Sequence, residues 1–131
     1  MNLHNGYQQY RNQSILTASP GDLVLMLYDG CLRQMKLASQ AISGSHPEDA
    51  GCALLKAQDF VTELIQGLDF QYEVAQHLLR VYDYVNYQLI QANMKKDGQI
   101  IADLTDIMTE LRGTWEQVIR INRGERPAAG E

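Results

Sequence analysis

The sequence predicts an all-α chain folded as an antiparallel, up-down four-helix bundle with a short N-terminal segment packed on or near it. Four successive segments repeat apolar residues at helical spacing, the links between them are a few residues long, and no stretch alternates like a half-buried strand. Helices are expected over residues 20–43, 47–68, 73–95 and 98–122 of one domain spanning 1–123, with 1–18 as the N-terminal segment and 124–131 as a disordered tail. Such helices are ~30–36 Å long at 1.5 Å per residue. Short links between rods of that length force antiparallel neighbours.

Each helix carries its own start signal. Ser19-Pro20-Gly21-Asp22 opens the first, with Ser19 as N-cap, Pro20 at the first helical position and Asp22 at the third. Its apolar arc is unusually wide. At ~100° per residue, Leu23, Leu27, Gln34, Ala38 and Ala41 form one line. Cys31, Met35 and Ile42 widen it on one side, and Met26, Gly30 and Leu37 on the other, while Leu25, Tyr28 and Leu32 spill further round. A helix packed on one core needs an apolar stripe of a little over ~100°, so this one is either central or holds a second surface. Ser45-His46-Pro47-Glu48 reads as a capping box for the second helix, whose seam is Leu54, Ala57, Val61, Leu64 and Leu68. Asp69 to Tyr72 is a connector. The third helix has Val74, Leu78, Val81, Val85, Leu89 and Ala92 as its seam, and a second row, Ala75, Leu79, Tyr82, Asn86, Ile90 and Asn93, further round. Asp97-Gly98 is a turn in which Asp97 caps the fourth helix, lined by Ile100, Leu104, Ile107, Leu111, Trp115 and Val118.

At 131 residues the chain is long enough to bury a core without disulfides or metal. A net charge of −5, a pI of about 5.1 and a single adjacent basic pair, Lys95-Lys96, argue against binding a phosphate backbone. No run approaches the ~18 apolar residues of a membrane span, and the N-terminus lacks the charged and apolar regions of a signal peptide, so a cytoplasmic protein without membrane insertion is expected. Cys31 and Cys52 show no ligand spacing and no CxxC. A disulfide fits the sequence, and two free buried thiols in a reducing compartment are the expected state.

Catalytic, metal and cofactor chemistry find no constellation here. Glu73 and His77 are four apart rather than the three of di-iron bundles, with no second such motif. His77-Leu78-Leu79-Arg80-Val81 carries a basic residue where phosphotransfer bundles do. However, Val81 stands where a small residue must leave the ring accessible, so a helix-surface histidine is expected and a histidine phosphotransfer domain is the alternative. No phosphate loop, nucleophile–base pair or zinc motif appears. Seven tyrosines against two phenylalanines suit surfaces that pack a ring and keep its tip wet. The surplus rows of the first and third helices therefore admit two readings: contact with two bundle neighbours, or a groove for a partner helix. A generic adaptor for some other amphipathic segment also fits.

Several ordered motifs resemble the family of flagellar export chaperones known as FliS. Thr17-Ala18-Ser19-Pro20 precedes Leu25-Met26-Leu27-Tyr28-Asp29-Gly30. Leu79-Arg80-Val81-Tyr82-Asp83-Tyr84-Val85-Asn86-Tyr87-Gln88-Leu89 is followed by Gln91-Ala92-Asn93, and Leu111-Arg112-Gly113-Thr114-Trp115 closes the series. Tyr7 matches a tyrosine ahead of the first motif. The link from Asp69 to Glu73 lacks the family's glycines, and Val81 replaces a residue that is often leucine. The resemblance implies a non-enzymatic, cofactor-free chaperone. It would bind the C-terminal segment of flagellin, which is disordered alone and helical when held, prevent its polymerisation and pass it to the flagellar type III export gate. Other flagellar regulators are further partners. For such a cargo the surplus rows and their tyrosines, in place of the core seams, supply the expected contact residues: Leu25, Tyr28, Leu32, Leu79, Tyr82, Asn86, Ile90 and Asn93, with Trp115 in the core. The N-terminal segment, through Tyr7, Tyr10 and Ile15, is expected to cover part of the groove in the free protein.

Overall fold

The computed structural model describes residues 20–124 as four helices: α1 (Pro20–Ser43), α2 (Pro47–Gln66), α3 (Val74–Lys95) and α4 (Gly98–Asn122). Among the described residues there is no strand. The expected N-terminal segment, including Tyr7, Tyr10, Ile15 and the Ser19 cap, and the tail beyond residue 124 lie outside these residues. The helices form a closed ring in which α1 packs on α2, α2 on α3, α3 on α4 and α4 on α1, whereas the diagonal pairs make no close backbone approach. The α1/α2 pair is the tightest and the α3/α4 pair the loosest.

Small residues set that gradient. Gly30 and Ala38 on α1 and Ala50, Ala53 and Ala57 on α2 are all buried, which lets the two backbones approach closely, since interaxial distance follows the side chains at the contact. The Phe60 ring lies where a Cβ on Gly30 would stand. On the opposite flank of α1, Gly21 lies against Ile119 of α4. Two ion pairs also join α1 to α4. Asp29 accepts from Nε of Arg112 at 2.5 Å and from Nη2 at 3.3 Å, and Asp22 accepts from Arg123 at 2.8 Å.

The turns depart from the expected chemistry in one place. Ser45 takes a left-handed backbone (φ 60°) and His46 is the N-cap of α2, with no capping bond from its side chain. The capping box therefore does not form. Instead the amides of Gly44, Ser45 and His46 turn back onto the carbonyls of Gln40, Ile42 and Ala41. Pro47 and the acidic Glu48 and Asp49 still favour a helix start there. The Asp69 side chain accepts from the amide of Gln71, and its carbonyl from Tyr72. That turn separates Gln66, the last residue of α2, from Val74. Asp97 caps α4 by accepting from the amide of Gln99.

The core holds Tyr28, Cys31, Met35, Leu54, Val61, Tyr82, Val85, Leu89, Ile101, Leu104 and Met108, all essentially inaccessible. Three expected seams shift. On α3 Ala75 and Tyr82 turn inward, leaving Val74 exposed and Val81 only partly buried. On α4 Ile101 and Met108 replace Ile100 and Ile107 as the innermost residues, and Val118 is exposed. Leu68 falls beyond the end of α2 and is partly buried. Both cysteines are free, yet only Cys31 is buried. Cys52 lies about 200° from Ala50 at ~100° per residue and faces solvent, which corrects the expectation of two buried thiols.

Gly30→Ala should destabilise the bundle by about 1–3 kcal/mol, because the Phe60 ring has no room to yield inside the tightest helix pair. Gly113→Ala is the matched control: it lies mid-helix, exposed, with nothing within 4 Å of an added Cβ, and should stabilise by up to about 1 kcal/mol. Urea titrations with unchanged m-values should show midpoints moving in opposite directions.

Candidate partner-binding surface

The expected contact residues divide between two opposite sides of the bundle. On α1, Leu25 and Leu32 are partly buried and lie on the flank that carries Gly21 and Asp29 toward α4; Leu32 packs against the core. On α3, Leu79, Asn86 and Asn93 are partly buried on the flank toward α2, where Asn93 lies close to Gly51. Because α1 and α3 occupy the diagonal of the ring, these two sets form no common groove.

The two helices do meet, through the core. The hydroxyls of Tyr28 and Tyr82 hydrogen-bond at 2.5 Å, with ring centroids 6.4 Å apart and ring planes inclined by 60°. Both side chains are almost completely buried. This corrects their expected role as partner contacts: tyrosine's polar tip is satisfied inside by the other tyrosine instead of by water. The pKa of each hydroxyl rises, burial being the main cause, and hydrogen bonding to Trp115 opposes the rise. The neighbouring Cys31 thiol is pushed up to about 12, again by burial. Trp115, expected in the core, is partly buried and packs against it.

What α3 leaves to solvent is apolar. Tyr84, Tyr87, Ile90 and Met94 are all exposed, Met94 by 75% and Tyr87 by 59%. At ~100° per residue they span an arc on the side of α3 facing away from the core. Asp83, Arg80 and Gln91 share that arc. Across the α2/α3 seam, α2 adds exposed Leu55. Of the expected contacts only Ile90 belongs to this surface. Tyr84, Tyr87, Met94 and Leu55 were missed, although the recurrence of Tyr87, Ile90 and Met94 at spacings of 3 and 4 was a readable signal. A surface of this kind is a candidate site for a macromolecular partner.

A second apolar patch closes one end of the bundle. The loop after α2 exposes Phe70 and Tyr72, the start of α3 exposes Val74, and the end of α4 exposes Val118 and Ile121. Antiparallel topology puts Pro20, where the described chain begins, at this same end. The other end carries an open hollow of about 430 Å³ between Ile42, Ser45, His46, Pro47 and Lys96. His77 is exposed on α3, as are the neighbouring Glu73 and Arg80. Among the described residues no helix is long and apolar enough to cross a membrane.

Comparison with known proteins agrees with the motifs. The family profile described as Flagellar protein FliS matches residues 3–122. The Flagellar secretion chaperone FliS of Bacillus subtilis (strain 168) is 38% identical over 130 residues, covering 99% of this chain and 98% of that protein. The Salmonella typhimurium protein of the same name is 31% identical over 108 residues, 80% of each chain. The Vibrio cholerae protein of that name is 28% identical over 122 residues, 88% of this chain and 90% of its own.

The buried hydroxyl pair and Cys31 fix the alkaline behaviour. Their folded pKa values are raised, so their contribution is complete below the unfolded values, ~8.5 for cysteine and ~10 for tyrosine, and is lost as pH rises beyond them. Thermal melts should hold steady between about pH 7 and 8 and fall progressively above about pH 9. In the double variant Tyr28→Phe/Tyr82→Phe the alkaline fall should be shallower. An identical slope would show that the pair does not titrate on unfolding.

Proposed function

We propose, from the premise that this chain belongs to the FliS family of flagellar secretion chaperones, that its cargo is the C-terminal segment of flagellin and that the outer face of α3 helps to hold it. In this reading the protein acts in the cytoplasm by binding, without catalysis or cofactor. It prevents premature polymerisation of flagellin and brings it to the export gate of the flagellar type III apparatus. The observation that carries the reading is the exposed face of Tyr84, Tyr87, Ile90 and Met94, with Leu55 beside it.

The physics of holding such a cargo suits that face. A segment that is disordered when free loses conformational entropy when it is ordered on a surface, so it needs extended apolar contact to offset the loss. A helix such as α3, 22 residues long, offers about 33 Å of length at 1.5 Å per residue. Each aliphatic side chain fully buried on it contributes roughly 1.5–3 kcal/mol relative to exposure. Tyr84 and Tyr87 add ring area while their hydroxyls stay wet, which limits self-association before cargo arrives. The family resemblance also extends the partners to other flagellar regulators, whereas the net negative charge gives no footing to nucleic acid.

Residues 1–15 complete the proposal as an intramolecular cover. The described chain begins at Pro20, at the end where Phe70, Tyr72, Val74, Val118 and Ile121 are exposed, and the sequence ahead of it supplies Tyr7, Tyr10 and Ile15 as apolar side chains among polar ones. In this proposal they shield part of the apolar surface and move aside for flagellin. Deleting residues 1–15 should raise the fluorescence of a dye that reports exposed apolar surface; unchanged fluorescence together with unchanged self-association would refute the cover.

For the cargo surface, Ile90→Asp should weaken binding of intact flagellin at least tenfold, equivalent to about 1.4 kcal/mol, with little change in Tm. Leu32→Asp should lower Tm instead, because Leu32 packs against the core. Flagellin lacking its C-terminal segment should not bind. Failure of the unaltered protein to bind intact flagellin in calorimetric titration would overturn the reading.

A further inference from the structure

One polar group on the α2-facing flank of α3 has no hydrogen-bond partner among the described residues. Asn86 is partly buried, and its Oδ1 is shielded from water with no hydrogen-bond partner among the described residues. Buried acceptors are normally paired, and an unpaired one destabilises the state that holds it. The contrast with Asn93, seven residues on and on the same row, is informative. The Asn93 side-chain oxygen accepts from the Lys96 ammonium group at 2.5 Å. Asn86 has no such neighbour, yet it sits one helical turn from Ile90, whose side chain is open to solvent, and seven residues from the half-buried Leu79.

Building on the flagellin reading, we infer that Asn86 sets the register of the bound segment: its partly exposed side chain turns to bring the shielded oxygen outward, where it accepts a hydrogen bond from one of the segment's polar side chains. The backbone N–H groups in the interior of a helical segment are already used by its own ladder, so the donor is a side chain of the asparagine, glutamine, serine, threonine, lysine or arginine class. Apolar residues of the segment about one turn to one side and two turns to the other lie toward Ile90 and Leu79. A cargo helix displaced by a turn sets an apolar group against the amide and leaves the oxygen unpaired. A single buried asparagine fixes register in coiled coils by the same penalty. Apolar contact alone tolerates sliding, because it is nearly indifferent to which leucine fills which site.

The test measures the free protein and the complex separately. For Asn86→Leu, Tm of the free protein should be equal to or above that of the unaltered chain, since an unpaired amide is removed. The Kd for a synthetic peptide of the flagellin C-terminal segment should rise about tenfold. Alanine substitution of each donor residue in the peptide should reveal one position that costs about tenfold against the unaltered chain and almost nothing against Asn86→Leu, the signature of a direct pair in a double-mutant cycle. Asn86→Ala repeats the measurement should leucine not fit. Equal peptide affinity for the unaltered and substituted proteins overturns the inference and leaves the flagellin reading intact. A fall in Tm for Asn86→Leu also overturns it, by showing that the amide has a stabilising partner in the free bundle. An unaltered chain that does not bind the peptide overturns the flagellin reading, and this inference falls with it.

Discussion

The hydroxyl pair of Tyr28 and Tyr82 is the constraint around which the bundle is arranged. The backbones of α1 and α3 never approach each other across the ring, yet these two long side chains span the diagonal and meet in a site closed to water. Two apolar residues of equal size would fill the same volume without caring about angle. Two hydroxyls must meet at hydrogen-bond distance, because each would otherwise be a buried polar group unpaired at a cost of about 1–3 kcal/mol. The pair therefore fixes the height and rotation of both helices at once. Once Tyr82 points inward, Ala75, Val85, Leu89 and Ala92 follow it into the core, and Tyr84, Tyr87 and Met94 are carried to the outside. The apolar outer face of α3 is a consequence of that rotation.

This causal chain also explains what could be read from the sequence. Helix number and packing class were legible because apolar spacing and short links leave few alternatives, and the seams of α2 and the C-terminal half of α3 were legible because aliphatic residues have one preference. Tyrosine has two. A ring with a polar tip fits the rim of a groove as well as a core that contains a partner for the tip, and periodicity does not distinguish them. Assigning Tyr28 and Tyr82 to the rim placed Val74 and Val81 in the core, and the rotation error spread along α3. On α4 the shift from Ile100 and Ile107 to Ile101 and Met108 has the same origin, since adjacent isoleucines permit either face and only the neighbouring helix decides. Ser45 shows a local version: a serine ahead of Pro-Glu signals a cap, but a three-residue link between antiparallel helices requires a left-handed residue, and the link's geometry prevails.

The wide arc of α1 has a bundle-internal explanation that the arc of α3 lacks. On one flank α1 buries Gly30 under Phe60 of α2; on the other it sets Gly21 against Ile119 of α4, and pairs Asp29 with Arg112 of α4 and Asp22 with Arg123 just past the end of α4. Between those flanks Tyr28 reaches through the core. All three directions are occupied, so Leu25 and Leu32 belong to a seam, and of the arc's large side chains Leu37 alone is exposed. On α3 the inward face is likewise occupied, yet a further group of large apolar side chains remains exposed. Apolar excess therefore has different meanings on the two helices: three packing directions on α1, and an unfilled one on α3.

That asymmetry matches the gradient of packing around the ring. The α1/α2 pair is brought close by glycine and alanine, and α1 is tied to α4 by charge-assisted hydrogen bonds, which are stronger than neutral ones. The α3/α4 pair is the loosest, and α3 exposes more large apolar side chains than any other helix. A chaperone must cover an extended segment and later release it, so its holding surface cannot be one whose loss would unfold the chaperone itself. The proposed function separates the two tasks: the diagonal tyrosines and the α1 seams hold the bundle together, while the exposed side chains on α3 are left for many modest contacts with cargo. Contacts of that kind add to useful affinity over the length of a helix, yet none is strong enough alone to prevent the segment from being peeled away for export.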